Sequence, residues 1–419
     1  MLNRSEIETY AKYMVCPSDI HHNASENGLN SYARYNYRQA SEYYKGTSDP
    51  SKIMDELIAA LRRNLDGSKE PILLLSDGKD SMSLALALSK MNLHCKTLTL
   101  LRKNDDSLKK VVEEKCALMG HIPYFIEIDE IINSFDHALF MKSCRLMKNP
   151  VLDQGMIFFL GGLDLFFEKE KIDPNTCQLI DGLGNDEHLG YLPSKSQRHS
   201  FIISKFGLWK FNKFLPRFVN WYIRSPAESQ GDLSAISCFF GFKNSYDLNS
   251  YFSKIKIKSD AEYIDFRAFS RGSFHDHQCM IGKTKVAAYA HGADIIYPWT
   301  DSILANYCFN LPSEHKFDFN ALKNKLILRR VLQDELSWKQ EKRGVDLFID
   351  LDVDKFIPIL NNYVDTEVIM QILKVKLIPS SVKKRALLEL LNFSGYLNAN
   401  GYTRGQIISL LIGDKDGVR

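Results

Sequence analysis

Two hydrophobic periods alternate along the first half of the chain. Ile53, Leu57, Ile58 and Leu61 recur at helical spacing between Lys52 and Leu65. Pro71-Ile-Leu-Leu-Leu75 is then a short unbroken apolar run, the pattern of a strand buried on both faces. It breaks at Ser76-Asp-Gly-Lys-Asp-Ser81 and resumes as Met82–Lys90, built from good helix formers. The alternation continues with a strand at Lys96–Leu101, a helix over Ser107–Met119 closed by Gly120 as its C-cap, and a strand over Pro123–Ile128. Residues 129–170 read as helices interrupted at Gly161-Gly162. Thr176–Ile180 is a further strand, running into the turn Asp181-Gly-Leu-Gly-Asn-Asp-Glu187. Strands alternating with helices predict an α/β fold, a doubly wound and mainly parallel sheet covered on both faces.

Outside this region the pattern changes. After Tyr191 the strand signal fades and the chain reads as mainly helical to its end. Val368, Ile369, Ile372 and Leu373 show helical spacing within Asp365–Asp414, a packing element. Residues 1 to about 50 are polar and rich in Tyr, Asn and Ser, with short helices expected near Glu6–Met14 and Asn30–Tyr44. Four parts are therefore expected: an N-terminal helical or irregular segment (1–65), an α/β core (66–195), a helical part contributing to the substrate site (196–350) and a C-terminal helical extension (351–419).

Composition narrows the class. At 419 residues the chain exceeds one small core, and 45% hydrophobic with 25% charged residues excludes wholesale disorder. Lys and Arg total 54 against 51 Asp and Glu, and the net +3 names no charged partner. No window reaches ~18 consecutive apolar residues. The opening Met-Leu-Asn-Arg-Ser-Glu lacks the apolar run of a signal peptide, so a cytoplasmic protein with no membrane association is expected. The eight cysteines include no Cys-x-x-Cys pair, which disfavours a disulfide framework or a four-cysteine zinc site. They read as reduced, mostly buried thiols.

The turn Ser76–Ser81 sits where an anion binds. A helix N-terminus presents unpaired N–H groups and the positive end of its dipole. Gly78 permits close backbone approach, Ser76 and Ser81 add hydroxyl donors, and Lys79 adds charge. The six-residue spacing of the Gly-x-x-x-x-Gly-Lys-Ser/Thr loop is absent. The plain alternative is an ordinary strand–helix turn with a Ser or Asp cap.

This turn resembles the pyrophosphate-binding loop (PP-loop) of the N-type ATP pyrophosphatase superfamily, Ser-Gly-Gly-x-Asp-Ser, with Asp77 in place of the first glycine. Asp tolerates positive φ better than most residues, although its carboxylate repels phosphates. Gly184-Asn-Asp-Glu187 followed by Leu189-Gly-Tyr191 resembles the Gly-Ala-Asp-Glu-Leu-Phe-Gly-Gly-Tyr segment of asparagine synthetases. Gly292-Ala-Asp-Ile-Ile-Tyr-Pro-Trp-Thr-Asp301 is similar to that family's Gly-Val-Glu-Ala-Arg-Val-Pro-Phe-Leu-Asp, with Ile296 where the family has Arg. Asn310-Leu-Pro312, Leu322–Arg329 and Lys342-Arg-Gly344 resemble its later segments, with Gln340 in place of a loop arginine. The resemblance spans roughly residues 70–345.

It implies an ATP-dependent ligase that adenylates a carboxylate, releases pyrophosphate and transfers the acyl group to ammonia or an amine. The implied nucleotide-binding set is Ser76, Asp77, Gly78, Lys79, Asp80, Ser81, Thr99 and Gly184. Asp80 and Asp186, with Glu187 beside them, are implied ligands of Mg²⁺; the plain alternative is an acidic loop capping a helix. Lys342 takes the reaction-centre charge and Asp294 an acid–base or orienting role. The expected substrate is a small-molecule or peptide carboxylate. The family's N-terminal glutaminase has no counterpart in the roughly seventy residues before the loop, so an ammonia-supplying or pathway partner protein is a further expectation.

Two rivals stay open. One is a nucleobase-modifying enzyme of the same superfamily, resembling a 7-cyano-7-deazaguanine synthase or a tRNA-modifying protein; the missing cysteine pairs weigh against it. The other is a catalytically degenerate nucleotide-binding protein, motivated by Asp77, Ile296 and Gln340. From His188 to Ala227 seven Lys and Arg stand with interleaved aromatics and no acidic residue. That mixture suits a nucleic-acid surface. The near-helical spacing of Phe206, Trp209, Phe214 and Phe218 favours core packing instead. His275-Asp-His277 lacks a third metal ligand at a telling spacing, and Cys16 reads as a structural thiol.

Overall fold

Successive side chains of the first strand enter opposite cores. In the computed structural model, Ile72 and Leu74 pack with Leu98, Leu100, Ile126 and Leu179 on one side. Leu73 and Leu75 pack with Ile180 and Phe125 on the other. A strand buried on both faces must be covered by helices on both faces, and it is. The described residues are 3–14, 46–192, 195–204, 206–214, 225, 234–242, 264, 267–268, 279–338, 347 and 351–412. The expectations at Asn30–Tyr44, Cys16, His275, His277, Gln340 and Lys342 lie outside them.

Strands β1 (Glu70–Leu74), β2 (Lys96–Leu101), β3 (Ile122–Glu127), β4 (Cys177–Ile180) and β5 (Asp294–Ile296) form one sheet in the order β3-β2-β1-β4-β5. Every pairing is parallel. The helices used below are, in chain order, α1 (Arg4–Tyr13), α2 (Ile53–Asn64), α3 (Lys79–Lys90), α4 (Asp106–Met119), α5 (Gly155–Glu170) and α6 (Asp186–Leu189). They continue with α7 (Lys195–Ser204), α8 (Ile281–His291), α9 (Ser302–Phe309), α10 (Leu326–Leu336), α11 (Ser380–Ala399) and α12 (Arg404–Ile412). Helices α2, α3, α4, α9 and α10 share the core of Leu73. Helices α1, α5, α8, α11 and α12 share the core of Ile72. A two-stranded hairpin, β6 (Phe317–Asp318) and β7 (Lys323–Asn324), precedes α10.

The fold is the expected α/β sheet with a mainly helical C-terminal half, and three local expectations need correction. Gly161-Gly162 does not interrupt α5. A Cβ on Gly161 would stand 2.6 Å from Ile131 Cγ2, and one on Gly162 2.6 Å from Leu100 Cδ2. The pair marks close approach to the short helix Ile128–Asn133 and to β2 rather than a break. The strand signal also does not end at Tyr191, because β5 arises from the expected helical part and completes the sheet. Three residues are too short a run to show a period. Finally, Phe206 is 76% exposed, so its helical spacing does not place it in a core.

Of the described cysteines, only Cys238 is more than marginally accessible, and none is disulfide-bonded. No described helix is long and apolar enough to cross a membrane.

Glycine substitutions separate packing from propensity. Gly162→Ala gains ~1 kcal/mol of helix propensity but overpacks Leu100 at a cost of ~1–3 kcal/mol, so net stability falls. Gly405→Ala in α12 meets nothing within 4 Å and gains a few tenths to ~1 kcal/mol. Denaturant unfolding of the two variants checks the opposite signs.

Candidate functional site

The strand order reverses between β1 and β4, and there the sheet opens a crevice at the carboxyl ends of its strands. Leu73 lies opposite Ile180, so the chain leaves both strands side by side, into the turns Leu75–Gly78 and Asp181–Asn185. The turns touch. A Cβ on Gly182 would stand 2.8 Å from the Ser81 amide nitrogen, so only glycine admits this approach. Gly184 has φ +104, and a side chain there would strike Thr300. Glycine at 184 thus shapes the turn, whatever else it meets.

The first turn folds on its own hydroxyls. Gly78 N–H donates to Ser76 Oγ at 3.1 Å, and Ser76 N–H donates to Ser81 Oγ at 3.1 Å. Gly78 is the N-cap of α3, and no side chain caps the helix there. Helix-terminal amides of this kind suit an anion. Asp77 keeps an ordinary negative φ, so the turn accepts it without strain. Two supports come from the fold. Thr99, buried on β2, donates to the Leu75 carbonyl at 2.9 Å. Buried Trp299 donates from Nε1 to the Asp80 carbonyl at 3.2 Å.

Lys325 holds the two turns together. Its ammonium reaches Asp80 Oδ2 at 2.7 Å, Asp186 Oδ1 at 2.7 Å and Asn185 Oδ1 at 2.5 Å. Asn185 in turn donates to Asp80 Oδ1 at 2.8 Å. All three ammonium protons are thereby satisfied, as burial demands. Lys325 sits just after β7 with left-handed backbone, φ +54 and ψ +44, and is 2% exposed. That conformation costs a non-glycine residue ~1 kcal/mol or more and persists where its surroundings enforce it.

No protein-family model matches the chain, and no curated protein matches it. The geometry of the crevice is therefore the ground for a functional reading.

Its electrostatics are uneven. Burial lowers the Lys325 pKa, but Asp186 and Asp80 more than offset it and hold the ammonium well above the usual lysine range. Burial raises the Asp80 carboxyl, yet Lys325 and Lys79 outweigh it and leave Asp80 below the usual range. Lys79 is different. Burial, reinforced by the neighbouring Lys325 charge, brings it down to about 8. Arg329, also lowered by burial and partly restored by Asp80, joins the same group.

Ser76, Gly78, Lys79, Asp80, Ser81, Gly184 and Asp186 are thus assembled at one crevice. Glu187 is buried to 1% exposure, and Thr99 is occupied by the Leu75 carbonyl. Asp294 does not join them. It pairs with Gln178 near the start of β4, accepts from Gln178 Nε2 at 2.8 Å and lies 3.7 Å from Lys69 Nζ. The crevice opens at the other end of these strands, roughly 10 Å away at the rise of three strand residues. Lys325 and Asn185 carried no assigned role in the sequence. The Leu322–Arg329 segment was the available signal for Lys325.

Asp80 and Asp186 still expose 27% and 31% of their side chains. Such oxygen donors fit Mg²⁺, which takes one or two carboxylates and completes its shell with phosphate oxygens and water. Among the described residues no group of three or more His, Cys, Asp or Glu is gathered as a metal cage.

Two measurements test this arrangement. Lys325→Met leaves two facing carboxylates without their cation, and a loss on the order of 2 kcal/mol is expected, given their partial exposure. Urea unfolding reads it. For Lys79, the unfolded chain holds more protons than the folded one between about pH 8 and 10.5, so stability rises with pH across that window. Lys79→Met removes the penalty. The melting-temperature advantage of that variant is largest near neutral pH and shrinks toward pH 10.5.

Proposed function

We propose that the chain is an ATP-dependent, AMP-forming amide ligase, asparagine-synthetase-like within the PP-loop superfamily. The observation that carries this reading is the convergence of Asp80, Asp186 and Lys325 at the N-terminus of α3, between two turns that resemble the family's nucleotide loops. Ser76, Gly78 and Ser81 bind the pyrophosphate part of ATP, with Lys79, Lys325 and Arg329 supplying positive charge. Asp80 and Asp186 hold Mg²⁺, which when bound neutralises charge on the polyphosphate.

An oxygen of the acceptor carboxylate attacks the α-phosphorus. The bond from that phosphorus to the bridging oxygen breaks, and pyrophosphate leaves with the electron pair. Ammonia or an amine then attacks the acyl carbon, AMP departs, and the nitrogen gives up a proton. Phosphoryl transfer of this kind asks the protein mainly for alignment and charge stabilisation. A compact ammonium such as Lys79 suits the charge developing on the leaving group. Asp294, on the far edge of β5, is left out of the chemistry.

A second reading, a protein that holds a nucleotide without turnover, is favoured by Asp77 in the phosphate turn and by the distance of Asp294. Pyrophosphate release from ATP and Mg²⁺ with pooled small carboxylates and ammonia separates the two. Release abolished in both Asp80→Ala and Asp186→Ala is the expected result. ATP binding without release, under every acid and amine supplied, favours the second reading. No ATP binding overturns both.

A further inference from the structure

Five exposed large hydrophobic side chains fall within ten positions: Ile202 (46%), Ile203 (39%), Phe206 (76%), Leu208 (48%) and Phe211 (61%). No other stretch of ten described positions holds more than two such residues. Scattered apolar residues are ordinary on a protein surface, whereas a contiguous group marks a contact. Ile202 and Ile203 lie in the last turn of α7, Phe206 in the turn after it, and Leu208 and Phe211 in the 3-10 segment Leu208–Phe214.

The sequence around them carries charge of one sign. From His188 to Ala227 the sequence holds seven Lys and Arg and no Asp or Glu, and Lys210 stands exposed among the five apolar residues. The patch is also tied to the crevice. Buried Arg267 donates to the Tyr191 carbonyl, just past α6, at 3.4 Å and to Gln197 Oε1 in α7 at 3.3 Å. Helix α6 carries Asp186 at its first position.

We propose that this patch docks the protein on an anionic lipid bilayer. Exposed Phe, Ile and Leu side chains enter the boundary between headgroups and acyl chains while Lys210 among them meets anionic headgroups. Three of the five are aliphatic and offer no face on which a base could stack, which counts against a nucleic-acid surface. Lysine is depleted at protein–protein interfaces, which counts against a protein partner. No described helix spans a bilayer, so the contact is peripheral. The expectation of no membrane association rested on missing apolar runs, which speak to spanning a bilayer and not to docking on its surface. The docking stands apart from the nucleotide reading; where both hold, the acid or amine is one presented at a membrane surface.

Co-sedimentation of the full chain with vesicles tests it, using phosphatidylcholine alone and phosphatidylcholine with added phosphatidylserine. Binding is expected to the anionic vesicles only and to weaken with salt. The Phe206→Ser/Phe211→Ser double variant and Lys210→Glu should each bind about tenfold or more weakly, with unchanged thermal melts because the positions are exposed. Failure to sediment with the anionic vesicles, or equal binding by the variants, overturns the proposal. So does salt-sensitive capture of a single-stranded oligonucleotide in place of vesicles, or self-association abolished by the double variant.

Discussion

An ammonium group buried between two carboxylates and an amide carbonyl joins three distant parts of this chain. Asp80 comes from the first turn, Asn185 and Asp186 from the second, and Lys325 from the end of a hairpin far along the sequence. Without that cation the two carboxylates would face each other at the mouth of the sheet, a repulsion that partial burial strengthens. The left-handed backbone of Lys325 is a local cost set against this tie. The other supports act on the same spot. Trp299 steadies the first turn of α3, Thr99 steadies Leu75, and Gly182 lets the turns meet.

Burial pushes the pKa of both lysines in the crevice down, and their neighbours then set the two apart. Lys325 has carboxylates within hydrogen-bond distance and stays charged, so it acts as a fixed internal cation. Lys79 lies beside another cation and binds its proton weakly, at about 8. An incoming polyanion would reverse the balance at Lys79, whereas at Lys325 it must compete with Asp80 and Asp186. One ammonium is thereby fixed by its partners, while a neighbour of identical chemistry stays responsive to added negative charge.

Topology explains which residues are excluded. In a parallel sheet the amino and carboxyl ends of the strands form separate rims, and side chains at strand starts cannot reach what gathers at strand ends. Asp294 opens β5 and pairs with Gln178, so it belongs to the amino ends of the strands, opposite the crevice. Asp301, from the same stretch, forms a bidentate pair with Arg63 and caps α9. That stretch therefore works here as scaffold: Trp299 under α3 and Asp301 against α2.

Local pattern was enough for the first four strands, for α2, α3 and α4, and for the two polar turns. These follow from short-range rules: period, helix propensity, and glycine or serine at the breaks. The meeting of Ser76, Gly78, Asp80 and Asp186 at one place was legible for the same reason, since each lies at a strand–helix junction. What stayed hidden depends on contacts between distant segments. The three residues of β5 become a strand only by pairing with β4, and Gly161-Gly162 stay helical because Ile131 and Leu100 fill the space beside them. Lys325 gains its partners only when a hairpin brings its ammonium between two turns, and register places Asp294 at the opposite ends of the strands from them. Phe206 shows the same limit from the opposite side, since helical spacing describes one helix face but not whether another element covers it.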